Sequence, residues 1–173
     1  MVWTLNLEAQ DSIQYSHGDY TAPRYLKDGK IDMQFLISDF QEYWRENSEI
    51  WADRYKQRAY KFAEAAPHLV MQAFLLRVVN GGGQIIREMA LGTKRADLCI
   101  LYGGHKYPIE LKILRNEKSL GDGLRQLSVY MDKLGADAGW LVLFDGDTEK
   151  SWNDKIYMRK EIVGVKEIIV AGC

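Results

Sequence analysis

The chain has 173 residues, 47% of them hydrophobic and 12% aromatic, with a formal net charge of −1. That length suits one domain with an extension and supplies enough apolar residues for a packed core. The near-zero charge excludes a global attractive field for nucleic acid and leaves room only for a local basic patch.

In chain order, Trp3, Leu5 and Leu7 alternate like a short strand. SHGDYTAPRYLKDGK follows with turn-like density of Gly, Pro, Asp and Ser. A helix is predicted over 32–58, capped by Asp32, with Phe35, Leu36, Phe40, Tyr43, Trp44 and Trp51 near helical spacing. Such an aromatic stripe reads first as a packing face and second as a nucleic-acid stacking surface. The next helix spans 64–80, with Pro67 in its first turn and Gly81 to Gly83 as its stop. It is apolar nearly all round, which predicts burial on every side. Those glycines follow a helix and precede a strand, the reverse of a phosphate-binding loop. No GxxxxGK[ST] occurs, so ATP hydrolysis by this chain is not expected.

Three strand-like runs come next, QIIREMALG, TKRADLCILYGG and HKYPIELKIL. Pro108 is expected to open the third of them, leaving residues 109–114 for the ladder. Twelve residues separate Asp97 from Glu110, enough for the rest of one strand, a tight Gly103-Gly104 turn and the start of the next. Antiparallel pairing then brings both carboxylates together. Side-chain alternation puts Glu110 and Lys112 on one face and Ile109, Leu111 and Ile113 on the other. Charge in a run this apolar is costly unless it is paired or binds a metal. Two carboxylates suit Mg²⁺ or Mn²⁺.

An amphipathic helix is predicted over 119–134, with Leu120, Leu124, Leu127, Met131 and Leu134 on one stripe and Gly135 as its stop. Gln126 and Tyr130 lie beside that stripe, one turn apart. GWLVLFDG at 139–146 reads as a strand buried on both faces. Asp145 and Asp147 close it as turn residues, with a metal role as the lesser reading. The tail alternates around Val163-Gly164 as a hairpin that extends the sheet. Cys99, in an apolar run, and Cys173 make neither a disulfide framework nor a zinc site, and His68 and His105 read as surface or packing residues. Ser119 and Ser128 lack the context of a serine hydrolase. No stretch approaches the roughly 18 apolar residues of a membrane span. MVWTLNLEAQ lacks the features of a signal peptide, so no membrane association and a cytoplasmic setting are expected.

Asp97 followed by Glu110-Leu111-Lys112 resembles the PD-(D/E)XK nuclease superfamily, with Ala96 where the Pro of that motif usually stands. Gln126 and Tyr130 match the QxxxY helix of its helicase-nuclease branch. PHLVMQAFLLRVVNGGG, YMDKLGADAGWLVLFD and SWNDKIY are similar to the C-terminal domain of bacterial AAA-ATPase-like proteins, over roughly residues 60–173. The resemblance implies an α/β fold with a restriction-endonuclease-like core. Its elements are a helix, a run of three antiparallel strands, a helix and a strand, in a mixed central sheet flanked by helices. Residues 1–60 would form an N-terminal extension with a helix, and 61–173 the nuclease-like domain. It implies a metal-dependent nuclease acting on nucleic acid, with DNA favoured, attached to an AAA-ATPase-like region. Asp97 and Glu110 would hold Mg²⁺ or Mn²⁺, Lys112 would orient water, and Gln126 and Tyr130 would steady the site. Glu64 is the candidate third acid from the first helix, with a helix-start carboxylate as its plain reading; Glu88 is the fallback. A nucleic-acid-binding module without useful cleavage, and an ATPase-docking or homodimeric interaction domain using the Trp44/Trp51 helix, are the competing functions.

Overall fold

The computed structural model describes residues 23–47, 65–79, 82–91 and 94–173. The strand suggested by Trp3, Leu5 and Leu7, the stripe residue Trp51, and Glu64 lie outside the described residues. The described part opens with a 3-10 turn at Pro23–Tyr25 and a two-stranded hairpin, β1 (Leu26–Lys27) and β2 (Lys30–Ile31). Asp28 and Gly29 between them have φ of 53° and 72°. A two-residue turn that follows the twist of its strands needs positive φ at both positions, and Asp-Gly supplies it.

Helix α1 (Met33–Glu46) follows, with Asp32 accepting the Phe35 N–H at 3.0 Å. That bond satisfies one of the amide groups a helix start leaves open. Met33, Leu36, Ile37, Phe40 and Trp44 form its buried stripe, while Phe35 and Tyr43 are exposed. The aromatic face is thus split between core and solvent. Helix α2 (Ala65–Val78) buries Met71 and Leu75, and Val79 just beyond it. Burial on every side is not found: Leu69 and Leu76 are 52% and 53% exposed. Among the described residues, its inward stripe alone meets the core.

The centre is a six-stranded mixed sheet. Its strands are β3 (Gly83–Leu91), β4 (Lys94–Tyr102), β5 (His105–Ile113), β6 (Ala138–Phe144), β7 (Tyr157–Val163) and β8 (Lys166–Gly172). They lie in the order β3-β4-β5-β6-β8-β7. β3, β4 and β5 are antiparallel, β6 joins β5 and β8 in parallel, and β7 returns antiparallel to β8. Helix α3 (Glu117–Leu134) connects β5 to β6, capped by Asn116 at its start and by Gly135 at φ 62° at its end. A short helix, α4 (Trp152–Lys155), precedes β7.

Strand alternation divides the core into two layers. Leu98, Ile100, Ile109, Leu111, Val142 and Phe144 face α1 and α2. Leu141, Leu143, Ile168 and Val170 face Leu127 and Met131 of α3. α1 belongs to the same core as the sheet. Its buried Gln41 donates to both the Tyr157 and Gly172 carbonyls, at 2.8 and 2.7 Å, and so ties the helix to β7 and β8.

Pro108 does not open β5; the strand begins at His105 and Pro108 pairs with Cys99 inside it. β6 joins β5 only from Ile109 onward, so at Pro108 the strand has β4 alone beside it. It is locally an edge there, which a missing N–H tolerates. No helix among the described residues is long and apolar enough to cross a membrane.

Candidate active site

Glu110 and Lys112 are successive same-face residues of β5, in register with Leu141 and Leu143 of β6. They therefore point toward α3. On β4, Leu98 and Ile100 take the opposite face, which leaves Asp97 on the α3 side. The β4–β5 ladder runs from Tyr102 with His105 to Leu98 with Ile109. Past it, the Leu111 N–H donates not to a β4 carbonyl but to Asp97 Oδ2, at 2.9 Å. Asp97 thus fills the place where the two strands part, next to Glu110.

Glu110 is 1% exposed. Its Oε1 accepts from Lys112 Nζ at 2.8 Å. Its Oε2 is buried without a hydrogen-bond partner. Burial pushes the carboxyl up to about 7, the Asp97 charge adds to that, and the Lys112 ammonium partly offsets both. Burial and a like charge each disfavour the ionised form, and this group meets both. A cation between the acids would reverse that balance. The orphaned oxygen, the second carboxylate beside it and the hard-oxygen chemistry of both fit Mg²⁺ or Mn²⁺. Among the described residues no three His, Cys, Asp or Glu side chains gather around one point. Glu64 lies outside them. Glu88 sits on β3 between residues paired with Leu98 and Ala96, and its side chain is likewise outside the description.

Helix α3 reaches this face closely because Gly123 lacks a side chain. A Cβ there would stand 2.8 Å from Leu141 Cδ1 and 3.3 Å from Lys112 Cγ. The glycine lets the helix lie on the Lys112 stem and brings Gln126, one turn on, to a cleft of about 320 Å³. Asp97, Lys112 and Gln126 line that cleft with His68, Arg115 and Asp122. Tyr130 does not share its wall and is buried, 5% exposed.

Sequence reasoning set His68 aside, yet the first turns of α2 carry it to the cleft. Only the packing of α2 against the sheet could show that. Asp122 was legible in principle, since it lies four residues before Gln126 on the same helix face. Asp145 and Asp147 have turn roles. Asp145 accepts the Asp147 N–H at 2.9 Å and pairs with Lys150 at 2.7 Å, and Asp147 accepts the Glu149 N–H at 2.9 Å.

Chemically, the site offers two acids able to hold a cation, Asp97 on the cleft wall and Glu110 buried beside it, with an ammonium next to them and polar groups along the cleft able to bind an anionic chain. No protein-family model matches the chain, and no curated protein matches it.

Proposed function

We propose that this chain is a Mg²⁺- or Mn²⁺-dependent nuclease with a restriction-endonuclease-like core, hydrolysing phosphodiester bonds in nucleic acid, with DNA favoured. Its proposed setting is a cytoplasmic protein with an AAA-ATPase-like region, and a homodimer is compatible with that role. The observation that carries the reading is the Asp97–Glu110–Lys112 group: two neighbouring carboxylates, one buried with an unpartnered oxygen, and a lysine held against it.

A divalent cation held by Asp97 and Glu110 would polarise a phosphoryl oxygen and acidify a water. Lys112 Nζ, reaching from the buried pair toward the cleft, orients the attacking water and offsets charge on the phosphate. Gln126 and Arg115 hold the flanking backbone by hydrogen bonds and charge. Tyr130 fixes the α3 turn that carries Gln126. The water oxygen bonds to phosphorus, one P–O ester bond breaks in line, and the leaving oxygen takes a proton.

The test is calorimetric titration of Mn²⁺ into wild type, Asp97→Ala and Glu110→Ala, each checked for folding, followed by plasmid nicking on the same samples. Binding lost in both variants, with nicking by wild type alone, is the expected result. Wild type that binds no Mn²⁺ refutes it. A second reading, a nucleic-acid-binding or ATPase-docking domain that keeps the fold without useful cleavage, is favoured by the two-acid count among the described residues. It predicts salt-dependent oligonucleotide binding with no nicking.

A further inference from the structure

A second cleft, of about 790 Å³, opens where β5 and β6 end. In sheets with parallel strands, the space beyond the carboxyl ends is where ligands are seated. Ile113 and Arg115 line both this cleft and the smaller one holding Asp97 and Lys112, so the two adjoin. Its floor is apolar: Leu143 is buried, and Leu120 and Tyr157 pack on the same α3-side core layer. Its rim carries Arg115, Lys150 and Arg159 against Asp145 and Asp147.

The rim charges are not equivalent. Lys150 pairs with Asp145 at 2.7 Å, and both Asp145 and Asp147 are engaged in the turn after β6. Arg159 pairs with Glu161 at 3.0 Å on the edge strand β7, both side chains well exposed, and lies 5.5 Å over the Tyr157 ring. An exposed pair of that kind is weak and gives way readily to a phosphate. The aspartates keep anions from the Lys150 side and leave the Arg159 side, at β7, for them.

An apolar, aromatic floor with Arg159 beside it on β7 fits a nucleobase below and a phosphate at its edge. We propose that this cleft seats one unpaired nucleotide next to the scissile phosphate, its base on Leu120, Leu143 and Tyr157 and its phosphate met by Arg159. This rests on the nuclease reading and narrows its substrate. A base lying in a cleft has left the duplex stack, so the preferred substrate has a single-stranded end or a strand already open.

The test is fluorescence anisotropy in EDTA with the full chain and three labelled probes: a blunt duplex, the same duplex with a single-stranded overhang, and single-stranded oligo-dT. Unlabelled dTMP serves as competitor. Wild type is expected to bind the two probes with unpaired bases at least about fivefold more tightly than the blunt duplex, the lower end of what one stacked base contributes. Arg159→Ala, on an exposed edge strand, is expected to weaken single-strand binding and lower its salt slope by roughly 0.7. Leu120→Ala, with its melting curve taken in parallel, is expected to remove the preference while leaving the salt slope. No preference in wild type, or an unchanged salt slope in Arg159→Ala, overturns the proposal. So does dTMP that competes as well as the overhang, which would make this a small-nucleotide pocket.

Because the chelator removes cleavage, the nuclease reading is judged apart from this, by nicking in Mn²⁺. Nicking without the preference refutes the nucleotide cleft alone. The preference with neither plasmid nicking nor cleavage of the overhang probe in Mn²⁺ supports the cleft and refutes the enzyme.

Discussion

Replacing Glu110 by Gln tests the charge balance of the site without changing its shape. The Glu110 carboxyl titrates near 7 in the folded chain, against 4.5 as its ordinary value, because it is buried beside Asp97. A raised acid pKa means the unfolded chain gives up this proton more readily than the folded one. The contribution to stability is therefore intact below pH 4.5, falls as pH rises toward 7, and stays low above that. A shift of this size corresponds to about 3 kcal/mol at pH 8 and about 1 kcal/mol at pH 5. Glutamine carries no charge and avoids the penalty at both. In EDTA, Glu110→Gln should therefore gain about 2 kcal/mol more over wild type at pH 8 than at pH 5. Taking the difference between the two proteins cancels the titrating groups that do not interact with Glu110. For a chain of this length the extra gain is a rise of roughly 4–8 °C in melting midpoint. The assay is urea unfolding followed by circular dichroism at both pH values, with melting curves alongside. Equal effects of the substitution at pH 5 and pH 8 would show that Glu110 titrates normally, and the account of a strained buried acid would fall with it.

Lys112→Met removes the ammonium that holds Glu110 Oε1 and, by the proposed role, orients water. Plasmid nicking in Mn²⁺ should fall by at least about a hundredfold, and the Glu110 carboxyl should titrate higher still, as carboxyl resonances in ¹³C NMR would show. Gly123→Val places a branched side chain where even a Cβ would be 2.8 Å from Leu141. Overpacking of that kind costs about 1–3 kcal/mol, read by urea unfolding, and lifting α3 off Lys112 should reduce nicking as well. Gln41→Leu strips the donor from the Tyr157 and Gly172 carbonyls. It should destabilise the chain by about 2 kcal/mol in the same assay and speed amide exchange at the Tyr157 end of β7.

The parts of this fold that were legible in the sequence are those written in short-range chemistry. Asp32 before an apolar stripe marks the start of α1, and Gly135 after Leu134 marks the end of α3. Gly103 and Gly104, at φ 56° and 77°, make the β4–β5 turn that brings Asp97 and Glu110 side by side. Asp28-Gly29 carried the same signal for the β1–β2 hairpin and was read only as a general turn region. What could not be read needed partners far along the chain. The composition of α2 spoke for burial all round, but burial depends on how many layers cover it, and Leu69 and Leu76 meet none among the described residues. Pro108 sits inside β5 because β6 arrives one residue later, a fact of register rather than of sequence. His68 reaches the cleft, and Arg115 comes to line both clefts, only once α2 and the ends of β5 and β6 are placed.

The burial of Glu110 is the least economical feature of the molecule and the most informative. Lys112 satisfies one oxygen and leaves the other without a partner. An apolar residue at 110, facing Leu141 in the α3 layer, would remove the cost; breaking or half-making a buried ion pair is worse for stability than having none. A structural ion pair therefore explains Lys112 but not the orphaned oxygen, nor a second acid, Asp97, beside it. A bound cation, as proposed, would account for both. It would lower the Glu110 carboxyl back toward its ordinary range and give the unpartnered oxygen a ligand. Bound at a hundred times its dissociation constant, it would stabilise the folded chain by about 2.7 kcal/mol. That is the size of the penalty assigned to the ionised carboxyl at pH 8. The free chain would then be weakest where the site is meant to be filled, and the same Mn²⁺ that supports nicking should raise the melting midpoint of wild type at pH 8 but not that of Glu110→Gln. Equal stabilisation of both by Mn²⁺ would place the ion elsewhere and leave the buried acid without this explanation.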